Sequence, residues 1–536
     1  MSIQPVCPTP LDFFTDLPIV LEVFDAQLTR DAGLLPFRQL DHHLGFTQQF
    51  AAALSDSRDL ELVDHTMLDM VRARVYGILA DYEDQNDHDI LRHDPVFKLI
   101  LGRSPQEPPL ASQPTLSRFE NGIDIASLKR LRDVFIDQFI ASFETPPLSL
   151  TLDEGAVDDP THGAQQLALF HGYFDQYQYF PAFITCAEND LFMVLSPRHG
   201  SAHAALGCDD DLRYLVHRLR QVWPNVRIHA RGDAGYGVPW MYRVCEELEI
   251  TYTFGLAANS TLQTWTEALL NEAVTAFTQT TPPALAADTT LQAWTEALLN
   301  EAVTAFTQTG VPTQLFDVFA YRAGSWPVLR TVIVKVEANA QGTNRRFVVT
   351  NRLGAWHYPQ ACYEAYAERG ESENRNKEFK VDMAMGRLSD HRFLANYFRL
   401  YLSACALNLL VQMRRVVADP PPLEVIASPL QPGSAPVAAA PVAAAPAASP
   451  TVEALPLEAQ PAGVKKRYYQ RRRQHDPLGE GHGSTWRSLV IKVAAEVAVS
   501  ARRIVVRLSS RWPNLNYLQQ VCRRLSEHIP PVSATG

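Results

Sequence analysis

Residues 366–380 read YAERGESENRNKEFK, and the organisation of the chain follows outward from them. Tyr366, Arg369, Glu373 and Lys380 are spaced Y-x2-R-x3-E-x6-K. At about 3.6 residues per turn, Arg369, Glu373 and Lys380 fall near one helical face, with Tyr366 a turn earlier. A carboxylate flanked by Arg, Lys and Tyr makes a poor apolar core. It suits an acid held beside a phosphodiester, where the cations answer phosphate charge. Composition alone makes the same stretch a solvated charged helix, so the decision falls to the acids elsewhere in the chain.

Two such acids stand at the ends of expected strands. Ser149–Asp153 alternates apolar and polar residues and ends in Asp153. Leu167–Phe174, Phe180–Cys186 and Leu191–Leu195 are short and aromatic or β-branched, which predicts a meander. A helix is expected over Asp211–Val222, then a strand over Val226–Ala230 leading into Arg231-Gly232-Asp233. A helix near Val238–Leu248 and a strand at Thr251–Phe254 follow. This order predicts an α/β layer with a mixed sheet. Neighbouring strand ends can bring Asp153 and Asp233 together, and the charged helix adds Glu373. Three converging carboxylates can hold two Mg²⁺ or Mn²⁺ ions about 3.5–4 Å apart for in-line phosphoryl displacement. Hard oxygen donors suit Mg²⁺ better than zinc.

Around this core the chain divides by composition. Residues 1–145 are expected to form a helical module, in which SQPTLSRFEN exposes Arg118 between Leu116 and Phe119. Such a module fits a DNA-end reader or a cap that only packs. Residues 146–255 and 351–418 are the two expected parts of the core. Between them, 256–350 carries a tandem duplication, Leu256–Thr280 against Leu285–Thr309, identical at 22 of 25 positions, followed by a β-rich stretch. Arg392–Val416 is expected as a buried packing helix, and its apolar stretch Leu400–Met413 is too short to span a bilayer. Residues 419–463 are Pro/Ala-rich and expected as an extended linker.

From Val464 onward there are 14 Lys and Arg against 4 Asp and Glu, a net of +10, which leaves −21 for the rest of the −11 chain. Lys465, Lys466, Arg467, Arg471, Arg472 and Arg473, interleaved with Tyr468 and Tyr469, suit backbone contact plus stacking on nucleic acid. The seven cysteines are scattered without a CxxC, which argues against zinc or a disulfide framework and for a reducing cytoplasm. The N-terminus shows no signal-peptide pattern. His199 and His203 lack an HExxH frame, and no GxSxG supports a serine hydrolase.

The four residues Tyr366, Arg369, Glu373 and Lys380 match without a gap the signature of DDE-type insertion-sequence transposases, and the chain resembles that family. LDEGAVDDPTHGAQQLALFHGYFDQYQYFPAF (152–183) looks like its first-acid region and RIHARGDAGYG (227–237) like its second. The resemblance implies an RNase H-like mixed-sheet core interrupted by an insertion, with a helical N-terminal module and a basic C-terminal arm at 464–536. It implies binding of double-stranded DNA at transposon ends, strand cutting and joining with Mg²⁺ (or Mn²⁺), and a homodimer when two ends are paired. Carried over by position, Asp153, Asp233 and Glu373 are the catalytic, metal-binding acids. Arg369 and Lys380 contact the backbone near the scissile phosphate, and Tyr366 positions a phosphate or base. One departure stands out. The family's first region often reads D-x-D, and here Gly155 occupies the place of the second acid, with Glu154, Asp158 and Asp159 close by. Loss of a ligand at that point would leave a DNA-binding protein without catalysis.

Overall fold

An eight-stranded mixed sheet forms the centre of the molecule, in a computed structural model that describes residues 21, 23, 25–278, 313–339, 342–418 and 477–529. The first strand in the chain, β1 (Leu28–Thr29), belongs to a separate small sheet. The central sheet begins with β2 (Ser149–Ala156). Three short strands follow, β3 (Asp159–Pro160), β4 (Leu169–His171) and β5 (Gln176–Tyr179), which pair in the order β3-β5-β4 as a hairpin sheet of their own. Next come β6 (Ala182–Cys186), β7 (Phe192–Ser196), β8 (Arg227–Gly232) and β9 (Thr251–Leu256). β10 (Thr313–Tyr321), β11 (Arg330–Asn339) and β12 (Gly342–Thr350) complete the large sheet, in the order β10-β11-β12-β9-β8-β2-β6-β7.

Only β2–β8 and β8–β9 are parallel, and their crossovers are the helices Cys208–Val222 and Pro239–Glu247. Parallel neighbours need such crossovers, and the three strands alternate, with Leu150 and Leu152, Ile228 and Ala230, and Tyr252 and Phe254 buried on one face and Asp153, Arg231 and Thr253 on the other. Asp153 was expected to end its strand. Instead β2 runs three residues further, because Glu154, Gly155 and Ala156 pair with Ile184, Phe183 and Ala182 of β6.

The stretch expected as an insertion is built into the same sheet. β12 pairs with β9, and β10 and β11 extend that edge. The first copy of the duplication forms the helices Ser260–Trp265 and Glu267–Thr278, which bury Leu262, Leu270 and Ala273. The second copy lies outside the described residues.

The N-terminal module is helical as expected. Its helices start where capping chemistry says they should: Thr66 and Asp69 form a capping box before Met67–Leu79, and Asp94 caps Pro95–Ile100. They wrap the 25-residue helix Phe393–Val417, with Phe50 and Phe119 against Phe398 and Phe135 against Tyr401. That helix is longer than the apolar stretch read from the sequence. By length and composition it could cross a membrane, yet 83% of its apolar window is buried within the protein.

The C-terminal region departs most from expectation. Residues 477–529 are no free arm. Trp486 is fully buried, edge-on to Phe37 at 5.5 Å. Arg487 donates to the carbonyls of Ile78 and Leu79, the last carbonyls of a helix. β13 (Ala495–Val499) pairs with β1 and with β14 (Ile504–Leu508). The reason is apolar content that net charge conceals: Val490, Ile491, Val493, Val497 and Val521 are all buried. Lys465, Lys466, Arg467, Arg471, Arg472 and Arg473 lie outside the described residues.

Candidate functional site

The signature stretch is two helices. Pro359–Ala367 ends just after Tyr366, Glu368 makes the joint, and Arg369–Val381 begins at Arg369. The helix is therefore interrupted between Tyr366 and Arg369. Arg369 reaches the loop after β8. Its guanidinium lies between two acids, with Nη1 2.9 Å from Glu373 Oε1 and Nη2 3.5 Å from Asp233 Oδ2. The arginine side chain is 9% exposed, whereas those of Asp233 and Glu373 are 50% and 55% exposed. A buried cation thus holds two acids at a solvent-facing rim. Asp233 is further fixed by the Gly235 amide, which donates to Oδ1 at 2.8 Å.

Tyr366 belongs to the same group. A Cβ at Gly255 would stand 2.9 Å from the Asp233 carbonyl carbon and 3.1 Å from the Tyr366 hydroxyl, so only glycine lets these segments close up. Burial pushes the Tyr366 phenol up; Arg369 opposes this, and Asp233 and Glu373 reinforce it. Lys380, two turns further along, donates to Asp158 Oδ1 at 2.9 Å and is partly exposed. Arg118 is exposed on the helix Gln113–Asn121. That helix is tied to the core by Glu120, which is fully buried and bridges Arg74 and Arg399 at 2.6 Å each.

Asp153 is placed differently from the other two acids. Its carboxylate is buried and receives both Nε and Nη2 of Arg231, at 2.7 and 2.8 Å. Arg231 spends its third nitrogen on the Ala365 carbonyl at 2.7 Å. Burial would lower the Arg231 pKa, but Asp153 outweighs it and the guanidinium stays charged. Both oxygens of Asp153 are therefore engaged. The parallel register sets Asp153 beside Arg231, and two residues on, the same face of β2 carries Gly155. A Cβ at Gly155 would point at the signature helix, 3.2 Å from Asn376 Nδ2, but 2.5 Å from the Phe183 ring. The place on β2 that faces the signature helix at Asn376 is thus a glycine with a phenyl ring across it.

The neighbouring acids do not fill that place. Glu154 points to the opposite face, fully buried, with neither oxygen hydrogen-bonded. Burial pushes its carboxyl well up, Asp211 adds to this, and Arg198 opposes it. Asp159 is also buried with both oxygens unpartnered, and burial pushes it up to about 8 against the pull of Lys380. A carboxyl raised in the fold binds its proton more tightly than in the unfolded chain. Its contribution to stability is present below the unfolded value of 3.8 and is lost as pH rises to about 8. The unfolding free energy measured between pH 5 and 8.5 should fall with pH by at most about 1.4 kcal/mol per unit from this group. Asp159→Asn should flatten that slope, and an unchanged slope in the variant would refute the assignment.

Among the described residues one acid–histidine group has ligand atoms within 4.8 Å of one another: Glu378, Asp382 and His482. Glu378 already accepts from Arg375 at 2.7 Å, the Gly483 amide at 2.8 Å, and Arg414. Two guanidiniums there make it an ion-pair knot and a poor cation site. Asp233 and Glu373, with exposed hard oxygens, fit a divalent cation better; Asp153 as the structure holds it does not complete a two-metal set.

Sequence reading passed over Arg231, Phe183 and Asn376. The period of two along R-G-D was the available signal, since it sets Arg231 and Asp233 on one face.

The chain with this sheet and these acids belongs to the DDE transposase domains. The particular family is the one described as Transposase DDE domain group 1, which matches residues 14–426. No curated protein matches the chain. Among solved structures, a piggyBac transposase synaptic complex with hairpin DNA, determined by cryo-EM, is similar at a TM-score of 0.33 and 12% identity, over 72% of this chain and 77% of that one.

Proposed function

We propose that this chain is a DNA transposase that binds terminal inverted repeats and cuts and joins DNA strands by metal-dependent phosphoryl transfer on an RNase H-like core. The observation that carries this reading is Arg369 set between Asp233 and Glu373, with Tyr366 against the same loop. Asp233 and Glu373 would hold Mg²⁺ or Mn²⁺, which when bound polarises the phosphate and stabilises the leaving oxygen. The chain supplies the rest. Arg369 aligns both carboxylates and keeps positive charge at the rim. Tyr366 walls the site beside Asp233. Lys380 exchanges Asp158 for a backbone phosphate. Arg118, with Arg502, Arg503 and Arg507 exposed on the β13–β14 hairpin, adds phosphate contacts along the duplex. Lys465, Lys466, Arg467, Arg471, Arg472 and Arg473 extend that charge. Pairing two ends calls for a homodimer.

A second reading has its own support. With Gly155 where a third carboxylate would face the site, and Asp153 committed to Arg231, the chain binds DNA ends without cutting them, as a catalytically inactive transposase-derived protein. The test is a labelled duplex in Mn²⁺ with the native chain and the Gly155→Asp/Phe183→Leu variant. The second substitution makes room for the new Cβ at a cost of roughly 1–3 kcal/mol in packing. Native nicking supports the first reading. Native binding without nicking, with cleavage gained by the variant by about 10²-fold over background, supports the second. A chain that binds no duplex DNA sinks both.

A further inference from the structure

We infer that the loop 197–207 is a clamp that sets the position of Asp233, with Arg198 and Ala204 as its positioning residues; this rests on the reading of Asp233 as a metal-binding acid. The loop follows β7 and contains the stretch RHGSAH (198–203). Irregular backbone leaves carbonyls without ladder partners, and buried ones need donors. Arg198 supplies them. It is 6% exposed, and its Nη1 faces three carbonyls, those of His203 at 3.0 Å, Leu206 at 3.2 Å and Ala204. Its Nε donates to the Phe180 carbonyl at 2.9 Å, which ties the loop to the entry of β6. A planar, always charged guanidinium suits this task, and the point charge of a lysine does not. Trp240 braces the loop further, donating from Nε1 to the Ala205 carbonyl at 3.3 Å.

Ala204 is thereby a fixed knob, and it faces the loop that carries Asp233. A Cβ at Gly235 would stand 2.6 Å from the Ala204 Cβ and 3.0 Å from Asp233 Oδ1. The two loops meet this closely only because residue 235 has no side chain. Beneath them Tyr236 is fully buried, and a Cβ at Gly232 would strike its ring at 2.8 Å. The loop of Asp233 is thus pinned on two sides.

The contact bears on the site through one amide. Gly235 N–H donates to Asp233 Oδ1 at 2.8 Å, while Arg369 Nη2 stands 3.5 Å from Oδ2. Each oxygen of a half-exposed carboxylate is held from a different direction. Arg369 acts on it directly. Arg198 acts through Ala204 and the Gly235 amide. Groups that orient a metal ligand change cation affinity by about 10–100-fold without touching the cation.

The experiment measures Mn²⁺ bound to the full chain, from loss of the free-ion EPR signal, beside the urea midpoint of each variant. Binding at the site is the part that Asp233→Asn removes. Gly235→Ala should weaken that binding about tenfold with the urea midpoint nearly unchanged. Gly235→Ala/Ala204→Gly, which clears the nearest clash, should restore most of the affinity. Arg198→Lys should weaken Mn²⁺ by a similar factor. A role in folding alone would move the midpoint and not the dissociation constant. If Gly235→Ala binds Mn²⁺ as the native chain does, or if adding Ala204→Gly restores nothing, the clamp is refuted and the metal reading of Asp233 stands. If the native chain binds no Mn²⁺, or Asp233→Asn removes none, both fall. Should Arg198→Lys fail to fold, the Gly235 and Ala204 variants decide alone.

Discussion

Glu373→Gln lowers metal-dependent strand cleavage by roughly 10³-fold and leaves duplex affinity within about twofold, in whichever background cuts DNA, native or Gly155→Asp/Phe183→Leu. The expectation follows from placement. Glu373 is half exposed and among the described residues its hydrogen bond is from Arg369, so the change removes a charge at the rim without opening a core. Gln keeps the side-chain length and one acceptor for Arg369. Stability should therefore move by less than about 1 kcal/mol, as for other exposed pairs. Cleavage that survives in the variant would take Glu373 out of the chemistry. Loss of cleavage together with loss of fold, seen by circular dichroism, would leave the defect structural.

The second large effect is on stability. Glu378→Gln should cost about 3–5 kcal/mol, read as a lower urea midpoint with the fold otherwise unchanged. Glu378 is fully buried between Arg375 and Arg414, and it also accepts the Gly483 amide. Removing its charge leaves two buried guanidiniums facing each other. The same knot fastens residues 477–529 to the signature helix, so limited proteolysis should release the C-terminal region first. Burial alone would raise the Glu378 pKa, but Arg414 and Arg375 outweigh it and hold the carboxyl below its ordinary range. A depressed carboxyl contributes stability above its unfolded value, about 4.3, and loses it as pH falls through the folded one. The native chain should therefore lose stability below about pH 4 more steeply than the variant. A variant with an unchanged urea midpoint would show that the knot is energetically neutral.

The two glutamates lie on one helix, five residues apart, and nothing in their immediate sequence separates them. Glu373 follows Arg369 by four, and Glu378 follows Arg375 by three. Local spacing predicts an ion pair for each. The difference comes from what packs on the opposite side. Helix Phe393–Val417 delivers Arg414 and buries Glu378, while Glu373 stays half exposed beside Arg369.

Much that is local was legible in the chain. The alternation of β2 and the short apolar runs of β6 and β7 are each dictated by a few consecutive residues, and the structure forms strands there. The pairing of Arg369 with Glu373, which a spacing of four residues on one helix dictates, was legible too. Three features were decided by tertiary structure alone. The β-rich stretch after the duplication joined the main sheet because β12 found the open edge of β9, and no residue in either strand advertises its partner. The basic C-terminal region folded back because its valines and Trp486 met an apolar groove that charge counting does not register. Asp153 and Gly155 exchanged importance because parallel pairing set Arg231, and not open solvent, beside Asp153. A one-dimensional pattern can say that an acid ends near a strand's edge. Which oxygens remain free there depends on the charge that the neighbouring strand brings up against it.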